Sequence, residues 1–343
     1  MVKGFSLHVA ALVFTLPAIC GAVPVVRSAG GSNDTASIQA AVDAFRADLG
    51  PLNPNQPGSF PTGRREINWD GVPDASSATN NLPADFFNGP TAPRARGAVF
   101  ETPGTGFQVS ADSSNPDSTP VEFGNINPNY PNVFRTFSPE RLFISLNSNI
   151  TDVLFFVPGT DTPATVSGFG SVFTSVDLSD STSIEFFKRN GGSLGKFSVP
   201  AGTGAESLSF LGVSFTQERV AKVRITTGNA ALGPSTNDGG GVDVAAMDDF
   251  IYSEPQECAT IADVKAKVRQ LDLKNRGLTR SLIVKLNSAK RFINRHDADK
   301  AIHHLDVFIH HVEVMGHPGH ISQEDADSLI SCVQSVIFLL DNQ

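Results

Sequence analysis

Between about Arg64 and Pro255 the apolar positions come in short runs: RLFISLNSNITDVLFFV, TSIEFFKRNGGSLGKFSV, LSFLGVSF and VAKVRITTG. These runs alternate or stay apolar throughout, favour Phe, Val and Ile, and are separated by Gly, Asn, Asp, Pro and Ser. That is the pattern of strands joined by turns. Asn190-Gly191 lies between two of them and is a strong hairpin dipeptide. Strands spaced in this way, with no helical pattern between them, predict an antiparallel β sandwich of jelly-roll-like type. The period changes at both ends. DTASIQAAVDAFRADLG puts Ile38, Ala41, Val42, Phe45 and Leu49 on one helical face, with Asp34 or Thr35 as cap and Gly50-Pro51 as stop. PLNPNQPGSFPTG then reads as loop or linker. Beyond Cys258 the period is helical, with four helices predicted near Ile261–Leu273, Thr279–Arg295, Ala298–Met315 and Gln323–Asp341, a four-helix bundle. Asp297 can cap the third, and Ser322 with Asp325 resembles a capping box.

The first residues, MVKGFSLHVAALVFTLPAICGAVP, carry one Lys, an apolar run and small residues near Ala22. They read as a secretory signal peptide over 1–22, so the protein is expected outside the cell or at its surface. No later stretch approaches the roughly 20 apolar residues of a spanning helix. The remaining chain divides into a short helix and linker (23–63), the β sandwich (64–257) and the helical domain (258–343). Without the leader two cysteines remain, Cys258 and Cys332, and an even count in an exported chain suggests a disulfide. Charge shifts at the same boundary: Val23–Glu257 holds 14 Lys plus Arg against 25 Asp plus Glu, whereas Cys258 onward holds 11 against 10. So acidic a portion argues against a nucleic-acid partner, which needs basic clusters for phosphates.

An absence limits the chemistry. No histidine lies between Val23 and Arg295 and no cysteine between Val23 and Glu257. A Ser-His-Asp triad, a Cys-His pair or a histidine-ligated metal cannot be built from the β domain alone. A carboxylate pair of the glycosidase kind remains open, but nothing in one sequence selects the pair. Glycan binding usually presents Trp or Tyr, and the candidates are Trp69, next to the Asp70-Gly71 turn, and Tyr130. STNDGGGVDVAAMDDFIYSEP offers oxygen ligands for Ca²⁺ at Asn237, Asp238, Asp243, Asp248 and Asp249, with three glycines to turn carbonyls inward. In a regular strand Asp248 and Asp249 point to opposite faces, so just one could serve a given ion.

The third predicted helix contains four of the eight histidines. Leu305, Phe308, Ile309, Val312 and Met315 form its apolar stripe; His303 and His310 lie nearly opposite, with His304 and His311 on a flank. His296, His303, His310 and His317 recur every seven residues, about 10.5 Å of helical rise, whereas helical zinc ligands usually sit one turn apart. A solvated face is the plainer reading, and a metal-binding histidine-rich tail the sharper one. The stretch LIVKLNSAKRFINRHDADKAIHHLDVFIHHVEVMGHPGHISQEDADSLI resembles the FIMAH domain of secreted bacterial proteins, the matching positions being Ala301, Leu305, Phe308, Ile309, Ala326, Asp327, Leu329 and Ile330. That resemblance implies an accessory helical appendage with no chemistry of its own. The central region, from VSGFGSVFTSVD to AMDDFIYSEP and upstream through INWDGVPD, resembles exported bacterial jelly-roll proteins that end in an Asp-Asp-Phe-Ile-Tyr strand. It implies a fold rather than an activity.

The sequence therefore predicts an exported, non-catalytic binding or surface-structural protein. A structural Ca²⁺ and a polysaccharide or cell-surface partner are the specific expectations; a carboxylate-pair hydrolase and a metal-binding tail are the alternatives.

Overall fold

The computed structural model describes residues 24–343 apart from 190, 216–218, 259, 272, 274–275, 317–319 and 342–343. The expected signal peptide, with His8, and the last member of the histidine series, His317, lie outside the described residues, as does Asn190 of the expected hairpin. The hairpin's two strands, β8 (Ser183–Phe187) and β9 (Ser193–Ser198), do pair antiparallel.

Two mostly antiparallel sheets make up the β region. The first runs β1 (Val25–Gly30), β10 (Leu208–Ser214), β7 (Gly168–Thr174), β12 (Ala246–Ser253), β5 (Phe143–Leu146), β4 (Gly106–Val109), with β2 (Arg64–Ile67) also paired to β12. The second runs β3 (Ala98–Glu101), β6 (Ile150–Phe155), β11 (Lys222–Thr226), β8, β9. One apolar core joins residues from both: Phe143, Phe169, Phe173 and Phe250 from the first, Phe100, Val153, Phe155, Ile184, Phe186, Val223 and Ile225 from the second. This is the face-to-face packing of a sandwich, with alternate residues of each strand turned inward.

The 23–63 segment holds the expected short helix and adds a strand before it. It supplies β1, an edge strand in register with β10, and α1 (Ala36–Leu49), which lies on the outer face of the first sheet. Ile38, Val42, Phe45 and Leu49 of α1 bury against Val172, Leu208, Phe210 and Ile251. Gly170 and Gly212, paired across β7 and β10, make room for this: a Cβ on Gly212 would sit 2.6 Å from the Phe45 ring. The Asp34 carboxylate accepts the Ala36 N–H at 3.0 Å, so Asp34 rather than Thr35 closes the helix start.

Four further helices follow: α2 (Ile261–Gln270), α3 (Arg276–Ile293), α4 (Ala298–Gly316) and α5 (Gln323–Asp341). They share one core built from Val264, Val268, Leu282, Leu286, Leu305, Phe308, Val312, Leu329, Val333 and Val336. Ser322 accepts the Asp325 N–H at 3.0 Å and Asp297 the Lys300 N–H at 3.3 Å, the two caps that the sequence predicts. Thr260 and Asp263 form a reciprocal capping box at the start of α2, satisfying N–H groups that the helix leaves unpaired. Cys258 and Cys332 form a disulfide that fastens the chain before α2 to α5. Among the described residues no helix is long and apolar enough to cross a membrane.

Candidate metal centre

Trp69 and Tyr130, the two rings expected to face a glycan, are both fully buried, which corrects that assignment. Ile67 and Trp69 continue the inward alternation of β2, so the ring enters the core even though a turn follows it. It stacks on Phe143 at 4.1 Å between centroids, and its Nε1–H donates to the Asp248 carbonyl at 2.9 Å. The Tyr130 hydroxyl is within hydrogen-bonding distance of the Thr236 carbonyl at 2.9 Å and accepts the Gly233 N–H at 2.9 Å. Here the phenol organises the 233–236 loop; a sugar would find no exposed ring face at either position.

The five expected calcium ligands divide between separate places. Asp248 and Asp249 sit at a β-bulge: Met247 opposes Phe173 and Phe250 opposes Ser171, so two residues of β12 stand against one of β7. The bulge breaks the expected alternation, and both carboxyls reach the same hydroxyl, Ser138 Oγ, at 3.1 Å (Asp248) and 2.8 Å (Asp249). Asp248 also accepts the Phe137 N–H at 2.6 Å, and Asp249 faces Arg46 at 3.2 Å. Burial, and then the Asp249 charge, push the Asp248 carboxyl well above the usual range; burial also raises Asp249, against Ser138 and Arg46. Both are buried, Asp248 at 0% and Asp249 at 3% exposure, which leaves a substrate no access to them. Asn237 turns away as well, its Oδ1 accepting the side-chain amides of Asn127 (3.2 Å) and Asn129 (3.1 Å).

Asp238 and Asp243 do converge, together with Asp177, which the sequence reading missed. Among the described residues these form the one group of three acidic, His or Cys side chains whose ligand atoms lie within 4.8 Å of one another. Asp177 comes from the loop between β7 and β8, the other two from the loop between β11 and β12. Asp243 is wholly buried and binds the first loop directly, accepting N–H groups of Asp177 (3.3 Å) and Leu178 (3.2 Å) and the Ser181 hydroxyl. Its own N–H donates to Asn229 Oδ1 at 2.9 Å, while the Asn229 amide donates to the Gly241 carbonyl at 2.9 Å. Asp238 Oδ1 accepts the Val244 N–H at 3.2 Å. Gly239, Gly240 and Gly241 all have positive φ (95°, 63° and 94°), which lets the loop fold back between the two acids.

Electrostatics mark this cluster. Burial first, and then Asp238 and Asp243, push the Asp177 carboxyl up to about 6 from its ordinary 3.8. Like charges gathered in one place disfavour ionisation, and a cation placed among them reverses that effect. Calcium binds oxygens at about 2.3–2.6 Å, so carboxylate oxygens less than about 5 Å apart can share one ion, with water and carbonyls completing six to eight ligands. Asp177 was missed because it lies some sixty residues upstream, in a run that reads as strand end and turn; just the pairing of β7 with β12 brings it there.

In the helical domain His303 and His310 are exposed on α4, as expected, while His304 stacks on Phe292 with centroids 5.1 Å apart. His311 packs near the Ser281 hydroxyl at 3.5 Å, and burial lowers its pKa. Residues 261–338 match the FIMAH domain family. The FIMAH match spans α2 to α5 but less than a quarter of the chain, so it identifies this domain and leaves the sandwich unassigned. No curated protein matches the chain.

Proposed function

We propose that the protein is an exported, non-catalytic surface-structural or binding module in which a jelly-roll-like sandwich is braced by one Ca²⁺ and carries a FIMAH four-helix bundle as an appendage. The observation that carries this reading is the convergence of Asp177, Asp238 and Asp243 from two loops that cross from one sheet to the other. A divalent cation there would tie the β7–β8 loop to the β11–β12 loop and relieve the mutual repulsion of the acids. Export rests on the leader-like first residues and on the disulfide, which persists in oxidising surroundings. With Trp69 and Tyr130 buried, the glycan-binding version has no aromatic platform among its expected residues. The Asp248–Asp249 pair, being inaccessible, is not the carboxylate pair that the hydrolase alternative requires.

Calorimetric titration of Ca²⁺ into chelator-stripped protein at neutral pH tests the proposal. One site of Kd about 10⁻⁴–10⁻³ M or tighter is expected, the range of extracellular calcium modules. Asp238→Asn should lose it. Absence of binding at millimolar Ca²⁺, or full binding by the variant, would overturn the assignment.

A further inference from the structure

The seven-residue histidine series belongs to a duplicated heptad: HHLDVFI is followed at once by HHVEVMG. On α4 this repeat places His303, Val307, His310 and Val314 in one stripe at alternating spacings of four and three, the seam spacing of a two-stranded coiled coil. That stripe is exposed. Val307 and Val314 are 41% and 52% accessible, and the His310 side chain is 79% accessible. The domain's own core lies on the opposite side of α4, through Leu305, Phe308, Val312 and Met315. One flank of the seam is acidic (Asp306, Glu313) and the other carries His304 and His311.

Two side chains able to ligate a metal meet at the edge of this seam. His310 Nδ1 and Glu313 Oε2 are 3.7 Å apart, close to the roughly 3.4 Å that separates two ligands of a tetrahedral ion with bonds of about 2.0–2.2 Å. Two ligands do not complete such a site, and a second copy of the same helix would supply the other two.

We propose that two copies of this chain dock in parallel along α4 around a divalent transition-metal ion of the zinc class, held by His310 and Glu313 of each copy. Charge and apolar patterning both select a second copy in parallel. In that arrangement Val307 meets Val307 and Val314 meets Val314, and valine at these seam positions favours two strands. Histidine meets histidine in the alternate layers, and Asp306 of one copy faces His311 of the other. An antiparallel arrangement would set valine against histidine and the acidic flanks against each other. Imidazole at the seam weakens the metal-free pair, so the ion controls assembly. Nitrogen ligands select zinc-class ions over Ca²⁺ or Mg²⁺.

The test is the mass of the untagged full chain in solution at micromolar concentration, by sedimentation equilibrium. With Zn²⁺ the mass should double from 36.3 kDa, return on chelation, and remain single with Ca²⁺ or Mg²⁺. His310→Ala should abolish the doubling while helical circular dichroism is unchanged, since the side chain is exposed. Val314→Cys should cross-link to its own counterpart when Zn²⁺ is present. A monomer in Zn²⁺, doubling that survives His310→Ala, or doubling driven by Ca²⁺ would each overturn the proposal. Asp238→Asn, which removes the calcium site, should leave the zinc response intact, so the two readings fail separately.

Discussion

Asp177→Asn gives the calcium centre a signature of opposite sign in its two states. In the metal-free protein the Asp177 carboxyl is pushed up to about 6 from 3.8, by burial and by Asp238 and Asp243. A raised folded pKa means that the folded state holds its proton more tightly than the unfolded chain does. Stability from this group is then fully present below about pH 4 and lost as pH rises through about 6, and the ionised side chain opposes folding at neutral pH. A shift of about two units corresponds to roughly 3 kcal/mol at 1.36 kcal/mol per unit. The two loops crowd Asp177 yet leave it exposed to solvent, and screening reduces this to about 1 kcal/mol. The asparagine variant should therefore unfold about 2–4 °C higher than the parent in EDTA at pH 7.5, for a domain of this size. The difference should vanish near pH 4. In Ca²⁺ the order should invert: the parent gains about 2.7 kcal/mol at a hundredfold excess over Kd, and the variant gains much less. Thermal unfolding with and without EDTA at the two pH values measures all of this. A variant destabilised in EDTA, or a parent indifferent to millimolar Ca²⁺, would refute the electrostatic argument.

Three further substitutions, at two sites, probe how buried charge is held in the sandwich. Arg65 and Glu254 form a fully buried pair at 2.7 and 2.8 Å, with Arg65 also donating to the Ala95 carbonyl at 2.7 Å. Glu254→Gln should cost about 3–5 kcal/mol in urea unfolding, because the guanidinium stays buried against a neutral group; a loss under about 1 kcal/mol would contradict that account. Asp248→Asn should stay within about 1 kcal/mol of the parent, since burial and the Asp249 charge both favour the neutral form that an amide resembles. Asp248→Ala should cost roughly 2–4 kcal/mol, because the Phe137 and Ser138 N–H groups lose their acceptor. Equal losses in the two Asp248 variants, read by the same assay, would show that the carboxyl is ionised in the fold.

What the sequence determined by itself was local. Alternation and apolar runs named β5, β6 and β8 to β11, the 3.6-residue period named α1 and the four C-terminal helices, and Ser322 and Asp297 were legible as caps because capping acts within one turn. The disulfide followed from a count of two cysteines. Tertiary structure decided the rest. VVRSAG in β1 is too short and too mixed to announce a strand, and becomes one because β10 offers an unpaired edge. Trp69 beside a turn looked accessible, yet its alternation with Ile67 carries it into the space between the sheets. The bulge at Asp248–Asp249 exists because β7 and β12 differ by one residue between fixed pairings, and no property of either strand alone contains that difference. Asp177 and Asp238 are brought together in the same way: spacing along the chain constrains groups within a turn or two, whereas groups sixty residues apart meet only when strand pairing closes the loop between them.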